Sequence, residues 1–477
     1  MLNIPHFGLE GIIPLLLYVG MFLIFFVSVF KWPAVGLYFY VFTLPLQTGR
    51  YKLHEFPLGA QFLDILLLGT ILGLILKRQE VIPKTSWSRF FLLLAVFYYF
   101  SLWEGAFFID VPLPIWITDV RFSEWKNYVE MFLLALVVAN VFKEKKEIRN
   151  LIIVMCLSVL VVNRSFVSLM RGRDLAHFSY DLRDAGALGY AGVNGLAAFE
   201  AMFASFLLGM YPFIKRISTK LAILGLLATC SYCLLYAFSR GGYIGLVVGM
   251  LVVGFLRMRS VLVVALILVL GWQTVLPTSV RERISMTTAA ADVADGAHLE
   301  PSAETRIVLW EDALKLFKRN PITGTGFETY EFMGRVGPYR DTHNYYVKML
   351  AETGIVGLGV FFWLLWKLAR AGRDLFYGSE DLFWRAIGLG FLALIFSSIA
   401  LNFFGDRWTY QQLDGYLWVI LGCVIRGLIN MKESKRDTEN DESGENVLRI
   451  PNWSRYEALQ EKGRARVFTC TGLMGWR

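Results

Sequence analysis

The chain has 477 residues, of which 56% are hydrophobic, 15% aromatic and only 18% charged, and its mean hydropathy is +0.51. That balance excludes a water-soluble protein of this length and marks a polytopic membrane protein. The formal net charge of +8 is spread over short inter-span segments rather than gathered on one basic face, so no nucleic-acid partner is implied.

Apolar stretches long enough to cross a bilayer run to about 17 to 25 residues. Candidates fall near 12–30, 33–47, 61–76, 88–108, 128–142, 150–170, 193–214, 220–238, 241–256, 260–276, 346–368, 383–401 and 412–429. The expected fold is all-α, with about 12–13 transmembrane helices. The first run has no basic residue before it and no small-residue cleavage site after it, so it reads as a permanent span rather than a signal peptide. Lys and Arg gather at every second boundary: Lys77-Arg78 with Lys84 and Arg89, Lys143 to Arg149, Lys215 to Lys220, Arg257 with Arg259, Lys367 to Arg373, and Arg426 to Arg436. By the positive-inside rule these turns face the cytoplasm. Segments 47–60, 104–127, 171–192, 239–242, 277–345 and 402–411 then face outward, with the N-terminus outside and the C-terminal tail inside.

This gives four regions: an N-terminal bundle of about ten spans over 1–276, an external (periplasmic) helical loop over 277–345, three C-terminal spans over 346–429, and a tail over 430–477. The tail opens on a charged run without apolar periodicity and is expected to be disordered and cytoplasmic. Cys230 and Cys233 form a C-x-x-C inside an apolar span with no second pair nearby, and read as packing residues rather than zinc ligands.

The loop over 277–345 contains Glu304-Thr305-Arg306 and then Ile307, Trp310, Leu314 and Phe317 at helical spacing, stopped by Asn320-Pro321. The expected amphipathic helix needs a partner for that stripe, either the membrane surface or the span bundle. Arginines also recur in outward segments: Arg171, Arg173 and Arg183, then Arg240 directly after a span. Asp174, Asp181 and Asp184 account for Arg171 and Arg173. For Arg183 and Arg240 a bound anion is the better account, because a guanidinium fork pairs with phosphate oxygens.

His343 stands where a polar stretch turns apolar, at the mouth of the span that runs to Trp366. Imidazole there can accept a proton near neutral pH. Asp341 either orients it or is a surface charge, and Glu352 is expected to pair with Lys348 one turn earlier. Glu200, Asp64, Glu104, Asp406-Arg407 and Asp414 are ionisable groups within or near spans. Glu200 reads best as a structural partner of an arginine, and Trp103, Trp116, Trp125, Trp363, Trp366 and Trp408 as interfacial anchors. No Gly-rich phosphate loop followed by Lys and no external carboxylate pair with metal-ligand spacing is present, so ATP, nucleotide-sugar and metal chemistry lack support.

Thr305-Arg306, Trp310, Asn320-Pro321 through Gly324-Thr-Gly326, and His343-Asn344 with nine residues before Gly354-Ile-Val-Gly357 resemble the shared region of the O-antigen ligase and O-antigen polymerase superfamily. Arg183-Asp-Ala-Gly186 through Asn194 and Ser239-Arg240-Gly241 fit as well. The resemblance implies a metal-independent, cofactor-free glycosyltransferase of the bacterial cytoplasmic (inner) membrane, its site facing the periplasm. Such enzymes move a glycan from an undecaprenyl-diphosphate carrier to an acceptor hydroxyl on a glycan, lipid A-core or protein. On this resemblance His343 is the base or acceptor-orienting group, and Arg183, Arg240 and Arg306 hold the diphosphate. Asn344, Asp341, Asn194, Gly354 and Gly357 support them, inverting single displacement is the expected outcome, and no metal is needed. A ligase is preferred, with a polymerase of lipopolysaccharide or exopolysaccharide as the alternative. A polytopic small-solute transporter is the alternative of another class, disfavoured because no inverted repeat is evident and the distinctive residues lie at the outer face.

Overall fold

The computed structural model describes residues 13–46, 53–186, 192–289, 301–336 and 341–442. Expectations for the extreme N-terminus, parts of the 47–60 and 277–345 segments, residues 187–191 and the tail beyond 442 lie outside the described residues. Contacts divide the chain into two compact units, 1–427 and 428–477.

The described residues form seventeen α-helices and no strand. The first six are α1 (Ile13–Phe30), α2 (Pro33–Thr43), α3 (Phe62–Leu76), α4 (Ser86–Phe108), α5 (Val120–Val141) and α6 (Lys145–Met170). Then come α7 (Gly192–Met210), α8 (Ile217–Tyr236), α9 (Arg240–Leu256), α10 (Arg259–Leu270), α11 (Trp272–Val275) and α12 (Thr278–Ala289). The chain continues through α13 (Pro301–Arg319), α14 (Thr329–Met333), α15 (Tyr345–Gly378), α16 (Leu382–Leu401) and α17 (Gln411–Glu442). Several starts follow from their sequence. Pro33 opens α2, Glu144 and Glu147 close a capping box at α6, and Asp119, Asn344 and Asp381 cap α5, α15 and α16 through their side chains.

Among the described residues, eight helices are long and apolar enough to cross a membrane, and α1, α2, α9 and α10 are shorter apolar helices. α5 coincides with the apolar stretch 128–142 but carries Arg121, Glu124, Lys126 and Glu130 in its first turns. The stretch 260–276 is not one helix: it stops at Gly271 and resumes as the four-residue α11. At the other end α17 continues past 429 through the charged residues to Glu442.

Contacts between segments fall into two sets that match the alternation of basic boundaries. One set joins Lys145 to Asp381, the Lys77 side chain to the Lys31 carbonyl, Lys367 to the Trp87 ring and Arg385 to the Phe213 ring. The other joins His177 to Glu282, Arg183 to Asn194, Phe327 to Ser101 and Lys348 to Asp406. The arginine-bearing segments therefore share one end of the bundle. Within it α7 packs on both α9 and α16, and α16 on α15.

Two features place the site. α15 is broken at Gly354, whose φ of +62° and ψ of −163° leave the helix. The segment after Asn320-Pro321 fills the break: Thr325 N donates to Ala351 O at 3.0 Å and Gly326 N to Glu352 O at 2.6 Å, while Ile355 N and Val356 N donate to Pro321 O and Ile322 O at 3.0 and 3.2 Å. Four peptide groups at the break, Ala351 O, Glu352 O, Ile355 N and Val356 N, thus find partners inside the protein, as buried non-helical backbone requires. A Cβ on Gly354 would run into the Ile322 carbonyl, so the glycine is demanded by both conformation and space.

The second feature is the docking of α13. Its buried face is Leu309, Ala313 and Leu316, packed with Tyr330 and Ala351, and Trp310 Nε1 donates to Thr342 O at 3.0 Å. The stripe read from the sequence was rotated: Ile307 and Leu314 are exposed, and only Trp310 and Phe317 of it turn inward. The helix lies on the head of α15, and the small Ala313 that makes the close approach possible carried little hydrophobic signal. Trp408 is likewise no interfacial anchor. It is fully buried, donates through Nε1 to Tyr128 Oη at 3.0 Å, and meets Phe361 and Trp418 edge to face.

Candidate functional site

Folding gathers five arginines in one cavity of about 430 Å³ lined by Arg183, Arg240, Arg283, Arg306 and Arg407, with Asn194, Ser239 and Tyr243 among the polar neighbours and Ile244, Leu401 and Phe404 among the apolar ones. Asn194 on the first turn of α7 organises one wall. Its Oδ1 accepts from Arg183 Nη2 at 3.1 Å and from Ser239 Oγ at 2.8 Å, and Ser239 is the residue before Arg240 at the head of α9. Arg283, buried on α12, is held between the rings of Phe178 and Tyr180, at 5.2 and 5.6 Å, and its Nε donates to Phe238 O at 3.4 Å. Arg306 enters from α13.

His343 does not line this cavity. It stands immediately before the N-cap Asn344 of α15, in a left-handed backbone conformation with φ +52°. Several bonds hold it there. Asp341 Oδ1 accepts from the His343 backbone N–H at 2.7 Å and also meets the imidazole Nδ1. Thr342 Oγ1 donates to Asn344 O at 2.7 Å, and Asn344 Oδ1 accepts from Tyr346 N and Val347 N at 3.0 and 3.3 Å. A strained residue persists only where its surroundings over-determine it, and such positions cluster at functional sites. With Nδ1–H engaged by the carboxylate, the basic lone pair of the neutral ring is on Nε2. Burial pushes the Asp341 carboxyl up, but its bonds to the His343 ring and backbone outweigh that and hold it below the usual aspartate range.

Gly354 and Gly357 lie away from the cavity: the first is the break in α15, and a Cβ on the second would strike the Thr353 side chain. Glu352 does not pair with Lys348. Its carboxylate accepts from Glu328 N and Tyr330 N at 3.1 and 3.0 Å, capping α14 where the backbone turns. Lys348 instead reaches Glu328 Oε2 at 2.9 Å and Asp406 Oδ2 at 3.1 Å, all three buried. The expected arginine partner of Glu200 is also replaced. With the Asn163 amide oriented to satisfy its neighbours, Nδ2 donates to Glu200 Oε1 at 2.7 Å and to Val159 O at 3.1 Å. Arg173 does meet Asp184, at 3.6 Å, and donates to Asp181 O at 3.0 Å.

The sequence reading missed Arg283 and assigned no role to Arg407. Arg407 was visible as part of an ionisable pair beside a span, whereas Arg283 sits in the ordinary charged run Arg281-Glu282-Arg283 and gave no signal. No group of three His, Cys, Asp or Glu side chains among the described residues is arranged to hold a metal ion. What the arrangement offers is dense fixed positive charge in one cavity, suited to a bound anion, and outside its lining an imidazole oriented by a carboxylate, suited to accept a proton.

Residues 225–362 match the O-antigen ligase family, and the resemblance to the O-antigen ligase and polymerase superfamily holds over that stretch. It contains Arg240, Arg283, Arg306 and His343, whereas Arg183, Asn194 and Arg407 lie outside it and join the site through the fold. No curated protein matches the chain.

Proposed function

We propose that this O-antigen ligase-like membrane protein transfers a glycan from an undecaprenyl-diphosphate carrier to an acceptor hydroxyl at the outer face of the bacterial cytoplasmic membrane. The observation that carries the reading is the convergence of arginines from α9, α12, α13 and the segments before α7 and α17 on one cavity at the end of the bundle that holds His343. A lipid diphosphate is the anion that such a place can both reach and need: its phosphates sit at the water–lipid boundary, and its departure requires positive charge where negative charge develops. Arginine supplies that charge at any relevant pH.

In this reading Arg183, Arg240 and Arg306, joined by Arg283, hold the diphosphate, and Asn194 fixes Arg183 relative to the head of α9. Asp341 orients His343, whose Nε2 accepts the proton of the attacking hydroxyl. The anomeric carbon inverts by single displacement, and arginine stands where a divalent ion would otherwise balance the charge. The basic inter-span turns face the cytoplasm and the site faces the periplasm.

The test is a reconstituted assay with undecaprenyl-diphosphate-linked glycan, following lipid diphosphate release and product size. Release with one glycan block moved to a separate acceptor identifies a ligase, and a ladder of lengthening lipid-linked chains identifies a polymerase. Failure of release with every donor and acceptor sinks the enzyme reading. A requirement for a divalent ion after EDTA treatment removes its metal-free part.

A further inference from the structure

The cavity's arginines do not stand in equivalent places. Arg183, Arg240, Arg283 and Arg306 belong to the loop before α7, to α9, to α12 and to α13. Arg407 belongs to the turn between α16 and α17, and that turn is bolted to the head of α15. Lys348 Nζ lies 3.1 Å from Asp406 Oδ2, and the Lys348 backbone N donates to Asn344 O at 3.0 Å. Tyr346 Oη donates to Ile399 O at 2.8 Å and its ring lies 4.4 Å from that of Phe403. Arg407 is itself fixed: its N–H donates to Asn402 Oδ1 at 3.0 Å, and its guanidinium folds back across Gly405, where a Cβ would lie 2.6 Å from Nη2. Asp341, the partner of His343, is among the carboxylates whose charge acts on this guanidinium. Arg407 therefore lines the cavity from a turn fastened to the helix head that His343 immediately precedes.

We infer that Arg407 marks the reacting end of the cavity, contacting the phosphate oxygen bonded to the anomeric carbon, while the other four arginines grip the second phosphate and the carrier side. The inference rests on the reading of the cavity as a lipid-diphosphate site. In the transfer step the acceptor oxygen forms a bond to the anomeric carbon and its proton passes to His343 Nε2. The bond from that carbon to the phosphate oxygen breaks, and the electron pair stays on the oxygen beside Arg407, leaving the lipid diphosphate as product. A cation at that oxygen meets charge that exists only as the bond breaks, so it acts on turnover. Cations on the second phosphate meet charge present throughout, so they act on binding.

The full-length protein in lipid nanodiscs separates these roles with one lipid-diphosphate-linked glycan, whose bond is still intact: its binding without acceptor gives affinity, and its reaction with acceptor gives turnover. Arg407→Ala is expected to lower kcat by about 100-fold and to leave affinity for the intact lipid-diphosphate-linked glycan within about threefold. Retained affinity also reports that the variant is folded. Arg283→Ala is expected to do the opposite, and Arg407→Lys to recover only part of the turnover, because a point charge lacks the fork. Unchanged kcat in Arg407→Ala overturns the inference, and so does a loss of affinity as large as the loss of turnover. If the wild type neither binds nor turns over any lipid-diphosphate-linked donor, the reading of the cavity falls first and takes the inference with it.

Discussion

At the scale of single residues, His343 and Arg240 carry the sharpest expectations. Loss of a positioned proton acceptor removes about 10²- to 10⁴-fold of rate, so His343→Ala should abolish measurable transfer while the protein remains inserted and folded. Unimpaired release of lipid diphosphate would remove this residue from the mechanism. Arg240 opens α9 beside an asparagine-organised wall, where a planar fork is worth more than a charge. Arg240→Lys should therefore lose most activity, and full turnover would assign Arg240 to structure instead. Asp341 makes a pH prediction. Its carboxyl is held below its ordinary value by His343, so the stability it contributes is fully present above the unfolded-state pKa and is lost as pH falls through the lower folded value. The difference in thermal stability between wild type and Asp341→Asn should stay flat across neutral pH and shrink only below about pH 4. A difference that vanishes between pH 7 and 5 would contradict the pairing.

At the scale of elements, the break in α15 is the feature most exposed to test. Gly354→Ala imposes a left-handed conformation on a residue with a Cβ and drives that Cβ into the Ile322 backbone, at a cost of about 3 kcal/mol or more. Gly359, five residues further along the same helix, has open space where its Cβ would be. A lowered melting temperature in detergent for Gly354→Ala, with Gly359→Ala near wild type, is the expected pattern, and equal effects would deny the break its special role. The His-Asn-x9-Gly-x2-Gly spacing was legible as a motif, but its division of labour was not. Periodicity reports which residues are apolar, not where a helix is interrupted by a segment that arrives from 26 to 34 positions earlier. The same limit explains α13, whose amphipathic character was readable while its buried face turned out to be set by Ala313 and by the shape of the α15 head.

At the scale of the whole molecule, the end of the bundle that carries His343 is held together by buried charge. Lys348 joins Glu328 before α14 to Asp406 before α17, and so ties the segment before α15 to the turn between the last two helices. Removing one partner of a buried ionic group leaves the others uncompensated, at roughly 3–5 kcal/mol. Lys348→Met should accordingly lower the melting temperature and turnover together, in contrast to the turnover-only loss expected at Arg407. A stable Lys348→Met protein would show that the cluster can be neutralised without cost to the fold.

The amino-acid sequence by itself determined the solvent of this protein, the helical positions along the chain, the alternation of basic and arginine-bearing segments, and the candidates His343, Arg183, Arg240 and Arg306. These are local properties, fixed by hydropathy over one span and by the charge of one loop. Only the tertiary structure decided that four separated arginines, with Arg407 from a turn far along the chain, share one cavity, that Asp341 takes the histidine ring, and that Glu352 serves the backbone rather than Lys348. The physical reason is that a buried polar group must be satisfied by whichever partner packing delivers, and in a bundle of helices that partner is set by three-dimensional contact, not by distance along the chain.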